Sequence, residues 1–321
     1  MELLIIGCGV SGLTSGVRLL EASHRVRIWA ESLPPDTTSN IAAAVWYPYN
    51  AYPEHLVVGW GARAFQVFAR ELAGQPETGV VMRDVIELLP AKSPDPWWAP
   101  AVPAFRHATD DECLGRFPDG YSFDAPVIDM SIYLDYLMRR FTDAGGAIER
   151  RRVATLDDAF AESPLVVNCA GLGARELLGD REVTPSRGQV VRVRATPYWR
   201  SVLDRVLLDD SDPVNLTYIV PRIHDIVLGG TAIQGAESTE PDPATTDAII
   251  RRCAALVPAL ADLTPDDIAS VAVGLRPARP AIRLEREQFA PQRAVIHNYG
   301  HGGAGVTLSW GCAEEVVRLV G

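Results

Sequence analysis

Two glycine clusters carry the strongest chemical signal in the chain: Gly7-Cys8-Gly9-Val10-Ser11-Gly12 and Gly302-Gly303-Ala304-Gly305-Val306-Thr307. The first follows a short apolar run, Leu3 to Ile6, and precedes a helical pattern with Leu13, Val17 and Leu20 on one face. A second apolar run, Val26 to Trp29, ends at Glu31, which lies 19 residues beyond Gly12. Strand, glycine turn, helix and a strand-end acid form the pattern that places a pyrophosphate on free helix N–H groups and a ribose hydroxyl on the acid. The second cluster also opens a helical pattern, through Leu308, Cys312, Val316 and Val320. Two helix N-termini on one cofactor suit a flavin, whose reduced ring carries negative charge, better than a nicotinamide. That argument points to FAD over NAD.

The elements that must position these groups are read from the pattern. A proline-rich and aromatic stretch follows Glu31, with one amphipathic helix marked by Ala64, Phe65, Phe68 and Leu72. Ser131 is expected to cap a helix through Leu134, Leu137, Met138 and Phe141 to Gly145-Gly146, after which βα alternation resumes at Ile148–Val153 and Leu165–Gly171. A second insertion reads as strands: Gln189–Arg194 alternates, and Leu216–Val220 and Ile226–Leu228 flank the turn Pro221–His224. Ile249, Cys253, Leu256 and Leu260 mark a further helix, and Val271–Pro277 a strand running into a proline-braked loop. The fold expected is α/β: a discontinuous Rossmann-like FAD-binding domain (1–47, 127–180 and 270–321) interleaved with an α+β substrate domain on an antiparallel sheet (48–126 and 181–269).

Composition narrows the class. A chain of 321 residues, 47% apolar and 22% charged, buries a full core and is neither disordered nor fibrous. The net charge of −11 repels nucleic acid and anionic membranes. Lys92 is the single lysine, which reflects the codon usage of a GC-rich, bacterial genome. Five scattered cysteines show no metal-ligand spacing, so no metal is expected. No signal peptide, spanning segment or receptor-read C-terminal address is evident, so the expectation is a cytoplasmic protein. Its only protein partner would be a second copy in a homodimer.

The motifs Gly7–Gly12, Thr37-Thr38-Ser39 with Ala42–Trp46, Val166–Gly171, Arg187-Gly-Gln189, Gly274–Pro280 and His297–Gly303 resemble the D-amino acid oxidase family across nearly the whole chain. The resemblance implies noncovalent FAD and oxidative deamination of a D-amino acid by hydride transfer from Cα to flavin N5, without a general base. Oxygen then takes the electrons, and the products are a 2-oxo acid, ammonia and hydrogen peroxide. It implies that Arg276 holds the substrate carboxylate with Tyr218, that the Gly303 carbonyl receives the amine, and that Tyr47 lies close by. Gly7, Cys8, Gly9, Val10, Ser11, Gly12, Glu31, Ser32, Thr37, Thr38, Ser39 and the backbone of Val153 would hold the adenosine, diphosphate and ribitol. Ala43, Ala44, Val45, Gly302, Gly303, Gly305, Val306 and Thr307 would lie along the flavin. Ala44 stands where glycine is usual, Val214 where mammalian members have a second active-site tyrosine, and Ala304 where they have an aromatic residue.

D-aspartate oxidases place extra arginines where this chain has Ser211 and Ala232, so neutral, apolar D-amino acids are the expected substrates. Arg222, in the hairpin turn, has no direction assignable from sequence. His297 and His301 are expected to bond within their own loop rather than act as bases, Cys8 is a small residue of the turn, and Arg150–Arg152 a solvated strand end. The rival readings are a D-aspartate oxidase, a glycine oxidase-like enzyme, a nicotinamide-linked dehydrogenase and a non-enzymatic dinucleotide sensor.

Overall fold

The computed structural model describes residues 1–48, 50–209 and 211–321. Its strands are β1 (Glu2–Ile6), β2 (Arg25–Ala30), β3 (Val80–Leu89), β4 (Arg106–His107), β5 (Asp119–Ile128), β6 (Ala147–Arg150) and β7 (Leu165–Asn168). They continue as β8 (Thr184–Arg194), β9 (Val206–Asp209), β10 (Thr217–Pro221), β11 (Asp225–Gly229), β12 (Ile233–Gln234), β13 (Ile268–Ala290) and β14 (Arg293–His301). The α-helices are α1 (Val10–Glu21), α2 (Glu54–Gln66), α3 (Met130–Asp143), α4 (Leu156–Phe160), α5 (Ala174–Leu178), α6 (Pro197–Val202), α7 (Pro243–Leu256) and α8 (Gly305–Val320).

One sheet runs through the molecule in the order β4-β5-β3-β9-β10-β11-β8-β13-β14-β7-β1-β2-β6. From β14 to β6 every pairing is parallel. From β4 to β14 the pairings are antiparallel except β3 with β9. This is the α/β class with an antiparallel extension. The fully buried β1 residues Leu3 to Ile5 fit the near-continuous apolar runs of a parallel sheet covered on both faces. Helix α1 packs between α3 and α8, and α2 lies on α8. No described helix is long and apolar enough to cross a membrane.

Several expectations are corrected. Asp129, not Ser131, caps α3: its carboxylate accepts from the Ser131 backbone N–H at 3.2 Å and from its hydroxyl at 2.6 Å. A charged acceptor beside the helix N-terminus is the stronger cap. The helix over Ala64 to Leu72 is α2 followed by a wider π-helical turn, Val67–Leu72. Leu260 is buried in a separate 3₁₀ turn after α7. The strand expected over Ile148–Val153 stops at Arg150.

The alternation in Gln189–Arg194 divides two cores rather than core from water. Val191 and Val193 join Ile249 and Cys253 of α7, while Val190 joins the larger core on the other face. Pro277 does not brake β13, which runs 23 residues through it. Pro277 pairs with Pro185 on β8, so two residues without an N–H face each other and neither strands a donor. Near Ala278 the pairing of β13 passes from β8 to β14. The strand therefore belongs to both parts of the sheet.

Candidate active site

The parallel strands β1, β2, β7 and β14 all end on one edge, where doubly wound sheets bind ligands. A cavity of about 570 Å³ opens there and extends to β10 and β13. Its first wall is the turn between β1 and α1. Gly7 has φ +108°, and a Cβ on it would sit 2.4 Å from the Cys169 carbonyl oxygen. Gly9 is the N-cap of α1 and supplies no side chain to satisfy the first helical N–H groups. One of them, on Val10, donates to Ser39 Oγ at 3.0 Å.

Another wall is the start of α8, which packs beside α1 and whose N-cap, Ala304, also provides no side-chain acceptor. Thus two helix N-termini face one space, a field suited to a diphosphate at one end and an electron-rich ring at the other. Thr307 Oγ1 accepts from the Tyr47 N–H at 3.2 Å and donates to the Tyr47 carbonyl at 3.0 Å, pinning segment 43–47 to α8. The same segment is tied to β5 by Ile128 N–H to Ala44 O (2.7 Å) and Trp46 N–H to Pro126 O (2.8 Å).

Between those ties Ala44 is held at φ +57°, the left-handed region that glycine occupies without penalty. Left-handed strain of roughly 1–2 kcal/mol is partly offset because glycine is freer in the unfolded chain. Ala44→Gly is therefore expected to stabilise the protein by about 0.5–1 kcal/mol. Thermal unfolding checks this. A lowered midpoint would show that the Cβ contributes packing that outweighs the strain.

Of the residues expected to hold cofactor or substrate, all but one line this cavity. The exception is Gly12, which is buried where a Cβ would lie 2.0 Å from the Gly7 carbonyl oxygen, so its part is to let α1 close on the turn. Glu31 and Ser32 lie at the tip of β2, with Glu31 open to solvent and 4.0 Å from Arg152. The Thr37 hydroxyl donates to Asn40 Oδ1 at 2.8 Å and so already has a partner in its loop. Burial pushes the Cys8 thiol up to about 12, which leaves no nucleophilic thiolate near neutral pH.

Sequence reasoning missed Arg151 and Arg152. They are exposed, as a solvated strand end would be, yet both line the cavity, and the Arg151 guanidinium lies 3.7 Å from the centre of the Trp29 ring. The available signal was their place at the end of a strand beside the nucleotide edge. The histidines sit in β14 rather than in a loop. His297 reaches across to Glu287 on β13 at 2.9 Å, which corrects the own-loop expectation. Burial lowers the His301 imidazole to about 4, so it is neutral near pH 7.

At the far end stand Arg276 on β13 and Tyr218 on β10. The guanidinium packs over Gly188, where a Cβ would lie 2.3 Å from Nη1, and Nη1 donates to the Thr231 carbonyl at 2.9 Å. Among the described residues no carboxylate pairs with it. Burial pushes the Tyr218 phenol up, while the charge of Arg276 and its hydrogen bond to the phenol pull the other way. The ring lies on Gly229 and Gly230, where side chains would collide with it. Arg222 is engaged elsewhere. It forms a bidentate pair with Asp225 (2.6 and 2.7 Å), donates to Ala42 O and is 2% exposed. Ala232 is buried, whereas Ser211 and Val214 are exposed. The site can thus grip one carboxylate, at Arg276.

The pattern of the family described as FAD dependent oxidoreductase (DAO) matches residues 2–319. The chain is 50% identical to a D-amino-acid oxidase of Rubrobacter xylanophilus over 319 residues, covering 99% of this chain and 95% of that protein. It is 34% identical to the D-aspartate oxidase of Homo sapiens, covering 99% and 94% of the two chains. In three dimensions it is similar to glycine oxidase from Geobacillus kaustophilus, with a TM-score of 0.77 at 19% identity, covering 99% of this chain and 94% of that one.

Proposed function

This chain belongs to the DAO family of FAD dependent oxidoreductases, and from that premise we propose that it oxidises neutral D-amino acids with oxygen as electron acceptor. The observation that carries the reading is a half-buried guanidinium, that of Arg276, without an acidic partner among the described residues, at the end of a cavity into which two helix N-termini open. Residues 1–47, 127–180 and 270–321 form the cofactor part in this reading, and 48–126 with 181–269 the substrate part.

The cavity fits noncovalent FAD. The Gly7–Ser11 turn and the start of α1 would hold the diphosphate, Glu31 and Ser32 the adenosine ribose, and Val153 the adenine. Thr37 to Ser39 would flank the ribitol, and Ala43–Val45, Gly302, Gly303 and Gly305–Thr307 the ring. When bound, FAD supplies an acceptor for the α-hydrogen, taken as hydride at N5, and returns two electrons to oxygen. Arg276 binds the substrate carboxylate bidentately and Tyr218 adds a hydrogen bond to it, fixing the direction of Cα. The Gly303 carbonyl accepts from the amine. No side chain need remove the α-hydrogen as a proton, and His301, lowered to about 4 by burial, is a weak base. Overall, D-amino acid, oxygen and water give 2-oxo acid, ammonia and hydrogen peroxide.

The closed Arg222–Asp225 pair supports neutral side chains. A second substrate carboxylate would enter the Tyr218 end of a cavity where Asp209 is already present, whereas the other arginines of its lining, Arg151 and Arg152, lie beside the tip of β2. Burying it unpaired costs several kcal/mol. D-methionine, D-leucine and D-valine are thus expected to turn over at least tenfold better than D-aspartate. The test is anaerobic mixing of the yellow protein with matched D- and L-amino acids, followed by air. Bleaching by the D-series and recovery with oxygen is the expected result. Protein that no amino acid bleaches would sink the oxidase reading, and faster D-aspartate turnover would sink the substrate assignment.

A further inference from the structure

Apart from Asn40, every residue of segment 37–45 lines the cavity, and the segment begins with a single 3₁₀ turn, Thr38–Ile41. The turn is joined to the first glycine cluster, because Ser39 Oγ accepts from the Val10 N–H at 3.0 Å. A turn this short cannot satisfy its own last carbonyl groups and needs donors from elsewhere. Two arginines of the antiparallel half supply them. Arg192 on β8 donates from Nη2 to the Asn40 carbonyl at 2.6 Å, and Arg222, after β10, from Nη1 to the Ala42 carbonyl at 3.1 Å.

Neither arginine lines the cavity. Both are backed by acids. The paired bonds from Arg222 to Asp225 fix the plane of its guanidinium, and Asp225 Oδ2 also lies 3.8 Å from Arg192 Nε. Burial alone would raise the carboxyl of Asp129, the cap of α3, yet the charge of Arg222 and the bonds from Ser131 and His224 hold it below the usual range. The two carbonyls are two residues apart, so the arginines fix the chain where it turns into Ala43–Val45, whose far end is already tied to β5. We propose that Arg192 and Arg222 are positioning residues of the flavin site: by holding these carbonyls from outside the cavity they set the path of segment 37–45 along the ribitol and the ring, and with it the affinity for FAD. The inference rests on the flavin placement proposed above and adds two residues of the antiparallel half to it.

The test titrates the flavin-free full chain with FAD, read by flavin fluorescence, and with ADP as competitor, which carries the adenosine and diphosphate but neither ribitol nor ring. Arg192→Met keeps the length of the side chain and removes its donors. It is expected to raise the dissociation constant of FAD about tenfold and to leave that of ADP within about threefold. Arg222→Met would strand Asp225 and Asp129 in the interior, so the second variant is Arg222→Lys. It keeps the charge but cannot make the paired bonds to Asp225 and the bond to Ala42 together, and FAD is expected to weaken about fivefold, again without ADP. An FAD constant for Arg192→Met within about twofold of wild type overturns the proposal, and if that variant does not fold the same criterion passes to Arg222→Lys. FAD and ADP weakened equally also overturn it, since a general loosening of the protein would act on both. If ADP does not compete even in the wild type, the FAD constants alone decide. A wild type that binds no FAD overturns the cofactor placement and this inference with it, whereas wild-type binding with unaltered variants overturns this inference alone.

Discussion

Arg276→Ala is expected to lower kcat/KM for every D-amino acid by about a thousandfold while the protein remains yellow. The guanidinium is the one charged group directed at the substrate carboxylate in our reading, and its removal leaves that anion in a site with nothing to replace the water it has shed. Breaking such a pair costs about 4 kcal/mol, which at 1.36 kcal/mol per factor of ten is roughly three orders of magnitude. The flavin should stay because the glycine turn and the two helix starts lie on other elements. Loss of the bond to the Thr231 carbonyl costs about 1 kcal/mol of stability at most. Arg276→Lys should recover only part of the activity, since a point charge cannot reproduce the two parallel bonds. Steady-state kinetics with a parallel flavin spectrum checks both variants. An alanine variant within threefold of wild type would remove Arg276 from the substrate site.

Gly7→Ala is expected to abolish flavin retention and to lower the unfolding temperature by several degrees. Two independent penalties meet at this position: φ is +108°, and the new Cβ would lie 2.4 Å from the backbone oxygen of Cys169, the residue after β7. Left-handed strain alone is on the order of 1–3 kcal/mol. The collision then forces β1 and β7 apart at the end where the diphosphate would rest. Gly74→Ala is the control, because Gly74 has φ +83° but open space around it. It carries the strain without the collision, so it should lose some stability and keep its flavin. The ratio of absorbance at the flavin band to that at the protein band, with thermal unfolding, separates the two cases. A Gly7→Ala protein as yellow and as stable as wild type would defeat the argument.

The sequence made the parallel half of the fold legible because its signals are local. Leu3–Ile6, the glycine turn and the face of α1 lie within about twenty residues, and each segment's preference agrees with its final state. The hairpin of β10 and β11 was visible for the same reason. What stayed hidden depends on contacts far apart in the chain. Pro277 looks like a breaker until Pro185 is seen opposite it, about ninety residues earlier. The Gln189–Arg194 alternation looks like a surface strand until α7 covers its second face. Ser131 looked like the cap of α3 by residue type, and only geometry shows that the carboxylate of Asp129 is the group that reaches the helix N–H. In the site, Arg276 and Tyr218 were readable only through family resemblance, because nothing local distinguishes them from other strand residues. The direction of Arg222 was unreadable, and Asp225, three residues on, decided it.

The two helix starts that face the cavity lie some 300 positions apart in the chain, one after Gly9 and the other at Gly305. A ribosome must therefore emit nearly all of this length before any complete binding place for the cofactor exists, and β1 must wait unpaired on one side until β7 has emerged. Flavin capture is consequently an event of the finished polypeptide, not of the growing one. In a cell short of riboflavin, the species that accumulates would be the finished apoprotein, and its fate would hang on a race between vitamin supply and proteolysis.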